Sequence, residues 1–226
     1  MKKIKTILSY MYPTIIETRE GSVTPYLEIT KSNGKYVLNS HNANYSFGGL
    51  HILFDAFFKQ INIKQYQIQS VLLLGMGAGS VVTLLKEKYK LNCDITAIEK
   101  DEVVIELAKK YFHIEKHKSL RIVNDDAFEY VKTTYKKFDL IISDLFIDGN
   151  VPEQFASSEY ITNLKRISNT NSCLIYNKMT EDPKHKKEVK AFEKLFSEVF
   201  IGAETHKLIA NDSENSLLYY NTLLLK

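Results

Sequence analysis

Glycine recurs at every second position in Val71-Leu72-Leu73-Leu74-Gly75-Met76-Gly77-Ala78-Gly79-Ser80, and an acid closes or follows each of the next three apolar runs. These acids are Glu99 after 94–98, Asp126 after 120–123 and Asp144 after 138–143. Glycine admits backbone angles closed to other residues and lets a ligand approach the main chain, while the helix start beyond it offers N–H donors. A carboxylate presents two acceptor oxygens to the two hydroxyls of a ribose, the chemistry assigned to Glu99. Asp126 is placed to accept from the exocyclic amine of adenine with the Ala127 backbone beside the ring, and it also has the type and position of a helix N-cap. Each residue alone is commonplace. Together they point to a nucleoside ligand contacted by Gly75, Gly77, Gly79, Glu99, Asp126 and Ala127.

The elements that must hold these residues alternate regularly from residue 71 onward. Short apolar strands at 71–74, 94–98, 120–123, 138–143 and 173–176 are each followed by a helix-period segment, at 80–89, 102–111, 128–133, 158–167 and 187–196. Such alternation predicts a mainly parallel sheet covered on both faces, with ligands at the carboxyl ends of the strands. Two further apolar runs, 199–201 and 217–220, have no convincing helix between them, so they are expected to pair antiparallel. Before the core, 14–18 reads as a strand, and 26–30 and 36–38 flank an Asn33-Gly34 turn as a β-hairpin. A helix over 48–58 then leads into the core. The expected division is a small N-terminal β arm, 1–47, and a nucleotide-binding catalytic domain, 48–226.

Composition narrows the partners. With 30 basic against 27 acidic residues in 226, a net charge of +3 gives no general field for nucleic acid or membrane. No stretch approaches membrane-spanning length, and 7–16 is too short and polar for a signal segment. Cys93 and Cys173 are far apart, sit in apolar surroundings and lack metal-ligand spacing. The chain therefore reads as cytoplasmic, with no metal and no nucleic acid or membrane partner.

A parallel sheet finished by an antiparallel hairpin resembles the Rossmann-like class I S-adenosylmethionine-dependent methyltransferase fold, an α/β architecture with a mainly parallel seven-stranded sheet. An NAD-linked oxidoreductase would want glycine at position 80, which is Ser80, and would lack the closing hairpin. The run from Leu145 through Asp148, Val151-Pro152-Glu153-Gln154-Phe155 and Ser157-Ser158-Glu159-Tyr160 resembles the spermidine synthase-like, or polyamine aminopropyltransferase, branch of that superfamily. So do Tyr26-Leu27-Glu28 and the hairpin before the core.

That resemblance implies a co-substrate, either S-adenosylmethionine or its decarboxylated form, a small-molecule acceptor such as an amine, and a homodimer. In-line displacement on a sulfonium asks the protein to position the nucleophile and take its proton. Asp144 is the residue expected to do so, with Tyr45 and Asp148 lining the acceptor pocket. The departures tilt the expectation. Ala78 stands where spermidine synthases carry, in a Gly-Gly-Gly-Asp-Gly-Gly loop, the acid that faces the cationic aminopropyl amine. Its loss removes a charge-assisted hydrogen bond of roughly 1.5–3 kcal/mol. Asp148 sits one residue later than the family's second acid, and Asn44-Tyr45-Ser46-Phe47 lacks the acid of the family's Tyr-His-Glu or Tyr-Gln-Glu. On this ground methyl transfer is modestly favoured over aminopropyl transfer, and a nucleotide-binding module without catalysis is a further alternative.

Overall fold

The computed structural model describes residues 9–10, 12–41, 44–147, 150–180, 183–210 and 213–223. Four short strands come first: β1 (Thr14–Arg19), β2 (Leu27–Ser32), β3 (Lys35–Asn39) and β4 (Asn44–Ser46), hydrogen-bonded in that order as an antiparallel sheet. The β2–β3 turn places Asn33 at φ 49° and Gly34 at φ 76°, the double left-handed conformation whose twist matches a two-residue hairpin. Leu27, Ile29 and Leu38 are fully buried and anchor this arm to the core. Strand β4 was not expected, being three residues long without an apolar pattern.

Helix α1 (Gly49–Gln60) follows, burying Leu53, Phe54, Phe57 and Phe58. The core strands are β5 (Ser70–Leu74), β6 (Asp94–Glu99), β7 (Leu120–Asn124), β8 (Phe138–Ser143), β9 (Ser168–Met179), β10 (Glu204–Ala210) and β11 (Ser213–Asn221). They form one sheet in the order β10-β11-β9-β8-β5-β6-β7. The pairs β5–β6, β5–β8, β6–β7 and β8–β9 are parallel, while β11 inserts antiparallel between β9 and β10. This is the Rossmann-like α/β sheet with a terminal antiparallel hairpin that the sequence implied. Period-two alternation divides its two faces. Val71 and Leu73 face one apolar cluster with α1, and Leu72 and Leu74 face a second beneath the helices of the opposite face.

Helix α2 begins at Ser80–Thr83 and widens into a π turn at Leu84–Lys88. The remaining helices are α3 (Glu102–Phe112), α4 (Ala127–Thr133), α5 (Ser158–Arg166) and α6 (Pro183–Val199). Among the described residues no helix is long and apolar enough to cross a membrane, and no cluster of side chains could hold a metal ion. Both cysteines are buried and free.

The closing hairpin differs from its expected position. Residues 199–201 form no strand: Val199 ends α6, and buried Phe200 stacks on Phe196 with ring centroids 4.8 Å apart. Phe192, Phe196 and Phe200 repeat every four residues, a helical stripe that Val199 and Ile201 disguise as a strand. The partner of β11 is the more polar Glu204–Ala210, an edge strand. Strand β9 is also far longer than the expected 173–176, because its outer residues are polar.

Candidate active site

A cavity of about 810 Å³ lies between the arm sheet and the carboxyl ends of β5, β6, β7 and β8. Gly75, Gly77, Glu99, Asp126, Ala127, Tyr45 and Asp144 all line it, so strand register brings together seven of the residues singled out from the sequence. Gly79 serves the loop from beneath: its φ is +90°, and a side chain there would collide with Ile114. Asp148 lies outside the described residues.

The glycine loop does not present free N–H donors. Gly75 and Met76 donate to the Ile98 carbonyl at 3.0 and 3.2 Å, Gly77 to Glu99 Oε2 at 3.0 Å, Ala78 to Ser46 Oγ at 2.8 Å, and Gly79 to the Met76 carbonyl at 3.0 Å. Every N–H from 75 to 79 is thus satisfied within the chain. A diphosphate would find no cradle here, whereas an adenosyl sulfonium carries no phosphate and needs none. The arm takes part in this arrangement, since Phe47 N–H donates back to Ser80 Oγ at 2.7 Å. Ser46 and Ser80 clasp β4 to the loop, a pairing across more than thirty residues that the sequence pattern did not mark. Ala78 itself is fully buried in the apolar cluster under the loop.

Glu99 accepts from Gly77 N–H on one oxygen and from Asp101 N–H on the other, both at 3.0 Å. Two of a carboxylate's four acceptor positions are then used and two remain for a diol. Burial pushes its pKa to about 6, against the backbone hydrogen bonds that lower it. Asp126 caps α4, accepting from Phe128 N–H at 2.7 Å, and pairs with Lys100 at 2.9 Å. Burial raises its pKa, and Lys100 and the Phe128 N–H more than offset that, leaving it below the usual value. The N-cap reading of Asp126 holds, and the residue still faces the cavity.

Asp144 is 8% exposed at the end of β8. Burial is the main cause of a pKa raised to about 7; the Asn177 hydrogen bond opposes it and the Glu99 charge adds to it. Asn177 Nδ2 donates to Asp144 Oδ1 at 2.9 Å. Tyr160, from the Ser157-Ser158-Glu159-Tyr160 run, is fully buried with its hydroxyl 3.2 Å from Ser143 Oγ, so it supports the strand end that carries Asp144. Tyr45 donates to the Phe146 carbonyl at 3.0 Å and sits 2.7 Å from Thr24 Oγ1. With its one proton used on a carbonyl, Tyr45 accepts from Thr24, and its hydroxyl spans the arm loop and the loop after β8.

Asp101 was not singled out from the sequence. It is 2% exposed and accepts from the N–H groups of Ser22, Val23 and Thr24 at 3.1, 3.0 and 3.1 Å, while capping α3 through Val103 at 3.0 Å. Burial raises its pKa, but these donors outweigh that and leave it below the ordinary carboxylate value. An Asp just before a helical run was the signal available. On the arm side, Glu28, Thr30 and Ser32 alternate along β2 onto the cavity wall. The wall then carries Glu28, Glu99, Asp101, Asp125, Asp126 and Asp144 against Lys100, a balance suited to a cationic ligand.

Residues 60–210 match the family described as "Spermine/spermidine synthase domain". A polyamine aminopropyltransferase of Vibrio vulnificus (strain CMCP6) is 27% identical over 136 residues, 58% of this chain and 45% of that protein. One of Buchnera aphidicola subsp. Acyrthosiphon pisum (strain Tuc7) is 34% identical over 120 residues, 50% of this chain and 41% of that protein. The chain thus spans less than half the length of these curated relatives. The crystal structure of a probable spermidine synthase from Corynebacterium glutamicum ATCC 13032 superposes with a TM-score of 0.77 at 18% identity, covering 92% of this chain and 80% of that one, a likeness of fold. With the family match running over well more than half of its length, the chain belongs to the spermine/spermidine synthase family.

Proposed function

We propose that the chain is an aminopropyltransferase that moves the aminopropyl group of decarboxylated S-adenosylmethionine to an amine acceptor. The observation that carries this reading is the acidic wall of the cavity, with Asp144 buried at a strand end and a pKa of about 7. The names of the curated relatives support aminopropyl rather than methyl transfer, against the tilt that Ala78 gave to the sequence argument. Ala78 belongs to the apolar cluster, and Glu28 supplies an acid on the arm side instead.

In this reading Glu99 takes the ribose hydroxyls and Asp126 with the Ala127 backbone takes the adenine. The acceptor nitrogen attacks the propyl carbon on sulfur. As the N–C bond forms, the C–S bond breaks and its electron pair stays on sulfur, leaving neutral methylthioadenosine, while the nitrogen's proton passes to the Asp144 carboxylate. Tyr45 holds the two loops over the acceptor. Pairing of two copies through the arm belongs to the same reading, and sedimentation at micromolar concentration tests it.

The deciding experiment incubates the chain with a short linear diamine and either decarboxylated S-adenosylmethionine or S-adenosylmethionine. Methylthioadenosine released from the former is the expected product. Adenosylhomocysteine formed from the latter, with the decarboxylated donor inert, would replace this reading with methyl transfer.

A further inference from the structure

Asp144 is held by a polar file that runs across the sheet from β8 to β11 along the cavity wall. Asn177 on β9 donates through Nδ2 to Asp144 Oδ1, and Asn215 on β11 donates through Nδ2 to Asn177 Oδ1, both at 2.9 Å. Asn177 is fully buried and Asn215 is 7% exposed. Side-chain amides are costly to bury unless bonded, and here each bond also sets a direction. An ionised carboxylate only accepts, so Asn177 must turn its amide nitrogen to Asp144. Its oxygen then faces β11 and requires a donor, which Asn215 provides. Without Asn215 the Asn177 amide is free to turn over and present its oxygen, an arrangement that favours a protonated acid.

Resting on the proposed function, we infer that Asn177 and Asn215 are positioning residues. They fix Asp144 Oδ1 into the sheet in its ionised form and leave Oδ2 to receive the proton of the acceptor. The other charges around Asp144 do not substitute for them. Glu99 at the end of β6 is an acid that opposes its ionisation; Asp101, Asp125, Asp126 and Glu28 line the same cavity without favouring the charge, and Lys100 is taken by Asp126. Lys178, next on β9, lies over the Phe192 ring of α6 on the opposite face. Toward the sheet, only the two amides favour the charged form among the described residues.

The test is the pH profile of kcat/KM for aminopropyl transfer in Asn177→Leu and Asn215→Leu, alongside titration of the Asp144 carboxyl by carbon-13 NMR. The acid limb is expected to move up by about one pH unit in Asn177→Leu and by less in Asn215→Leu, with activity near pH 6.5 falling about tenfold and recovering at pH 9. Affinity for the decarboxylated nucleotide stays close to wild type. A pH-independent loss, or an acid limb and carboxyl titration that do not move, would overturn the inference. If Asn177→Leu fails to fold, Asn215→Leu at the cavity rim decides alone. The NMR titration needs no turnover. If the wild-type chain transfers nothing while the Asp144 titration still moves in the variants, the functional reading falls and the positioning stands.

Discussion

Gly75 lies directly against the main-chain carbonyl of Asp144. At φ +83° it has no room for a side chain, because the first carbon would run into that oxygen, and the Asp144 N–H is already bonded to the Leu74 carbonyl at 2.8 Å. The first glycine of the loop therefore lets the strand carrying the acid close on the strand carrying the loop. Gly75→Ala is expected to cost roughly 1–3 kcal/mol and to lower kcat at least a hundredfold by displacing Asp144, measured by denaturant unfolding and steady-state rates. Full activity in a folded Gly75→Ala would contradict this role.

Binding of a sulfonium should release protons. Glu99 and Asp144 titrate near 6 and 7 because burial favours their neutral forms, and a cation placed between them favours the charged forms. Between pH 5.5 and 7, calorimetry in buffers of differing ionisation enthalpy should show net proton release with decarboxylated S-adenosylmethionine, and affinity should strengthen as pH rises. Neutral methylthioadenosine should release far less.

Asp144→Asn should trade activity for stability. The Asp144 pKa is raised from 3.8 to about 7 in the fold, so the native state favours its neutral form. That share of stability is complete below the unfolded pKa and is lost as pH rises through 7. The variant should therefore unfold on the order of 2 kcal/mol later than wild type at pH 8.5 and little differently at pH 4, while transferring nothing. Equal thermal shifts at both pH values would show that charge burial is not the cause.

At Asp101 the sign reverses. Its carboxyl is held below the ordinary value by the arm's N–H donors, so its contribution is present above pH 3.8 and is lost as pH falls through the lowered pKa. Asp101→Ala should destabilise by about 2–4 kcal/mol and speed amide exchange at Ser22, Val23 and Thr24 first. Slow exchange there in the variant would place the arm's anchor elsewhere.

Glu28 tests the arm's share in recognition. Glu28→Gln should raise KM for a diamine about tenfold, leave kcat near wild type and change KM for a monoamine little, since a charge-assisted bond to the distant ammonium is what it removes. Parallel increases for both acceptors would remove Glu28 from specificity.

Most of the sheet was legible because its strands are short, apolar and separated by helical periods, and Gly75, Glu99, Asp126 and Asp144 fall where those runs end. What escaped notice depends on pairing across the chain. Asn177 reads as the polar edge of an apolar run until β11 is laid beside it, and Ser46 is one of many serines until β4 meets the loop. Asp101 was passed over: its place before a helical run marks a helix cap at most, and its bonds to an arm loop more than seventy residues earlier leave no local signal. The misplaced strand at 199–201 has a different cause, since branched residues on the last turn of a helix carry strand-like composition.

The insertion of β11 between β9 and β10 also orders events in time. In the proposed function the nucleotide is held from β5, β6 and β7, whose β5–β6 and β6–β7 registers join residues about 25 apart, whereas Asn215 reaches Asn177 across 38 residues. Closing the longer loop is the slower step. A refolding chain should therefore take up the nucleotide before it can turn it over, and a burst of ligand fluorescence should precede the return of product formation.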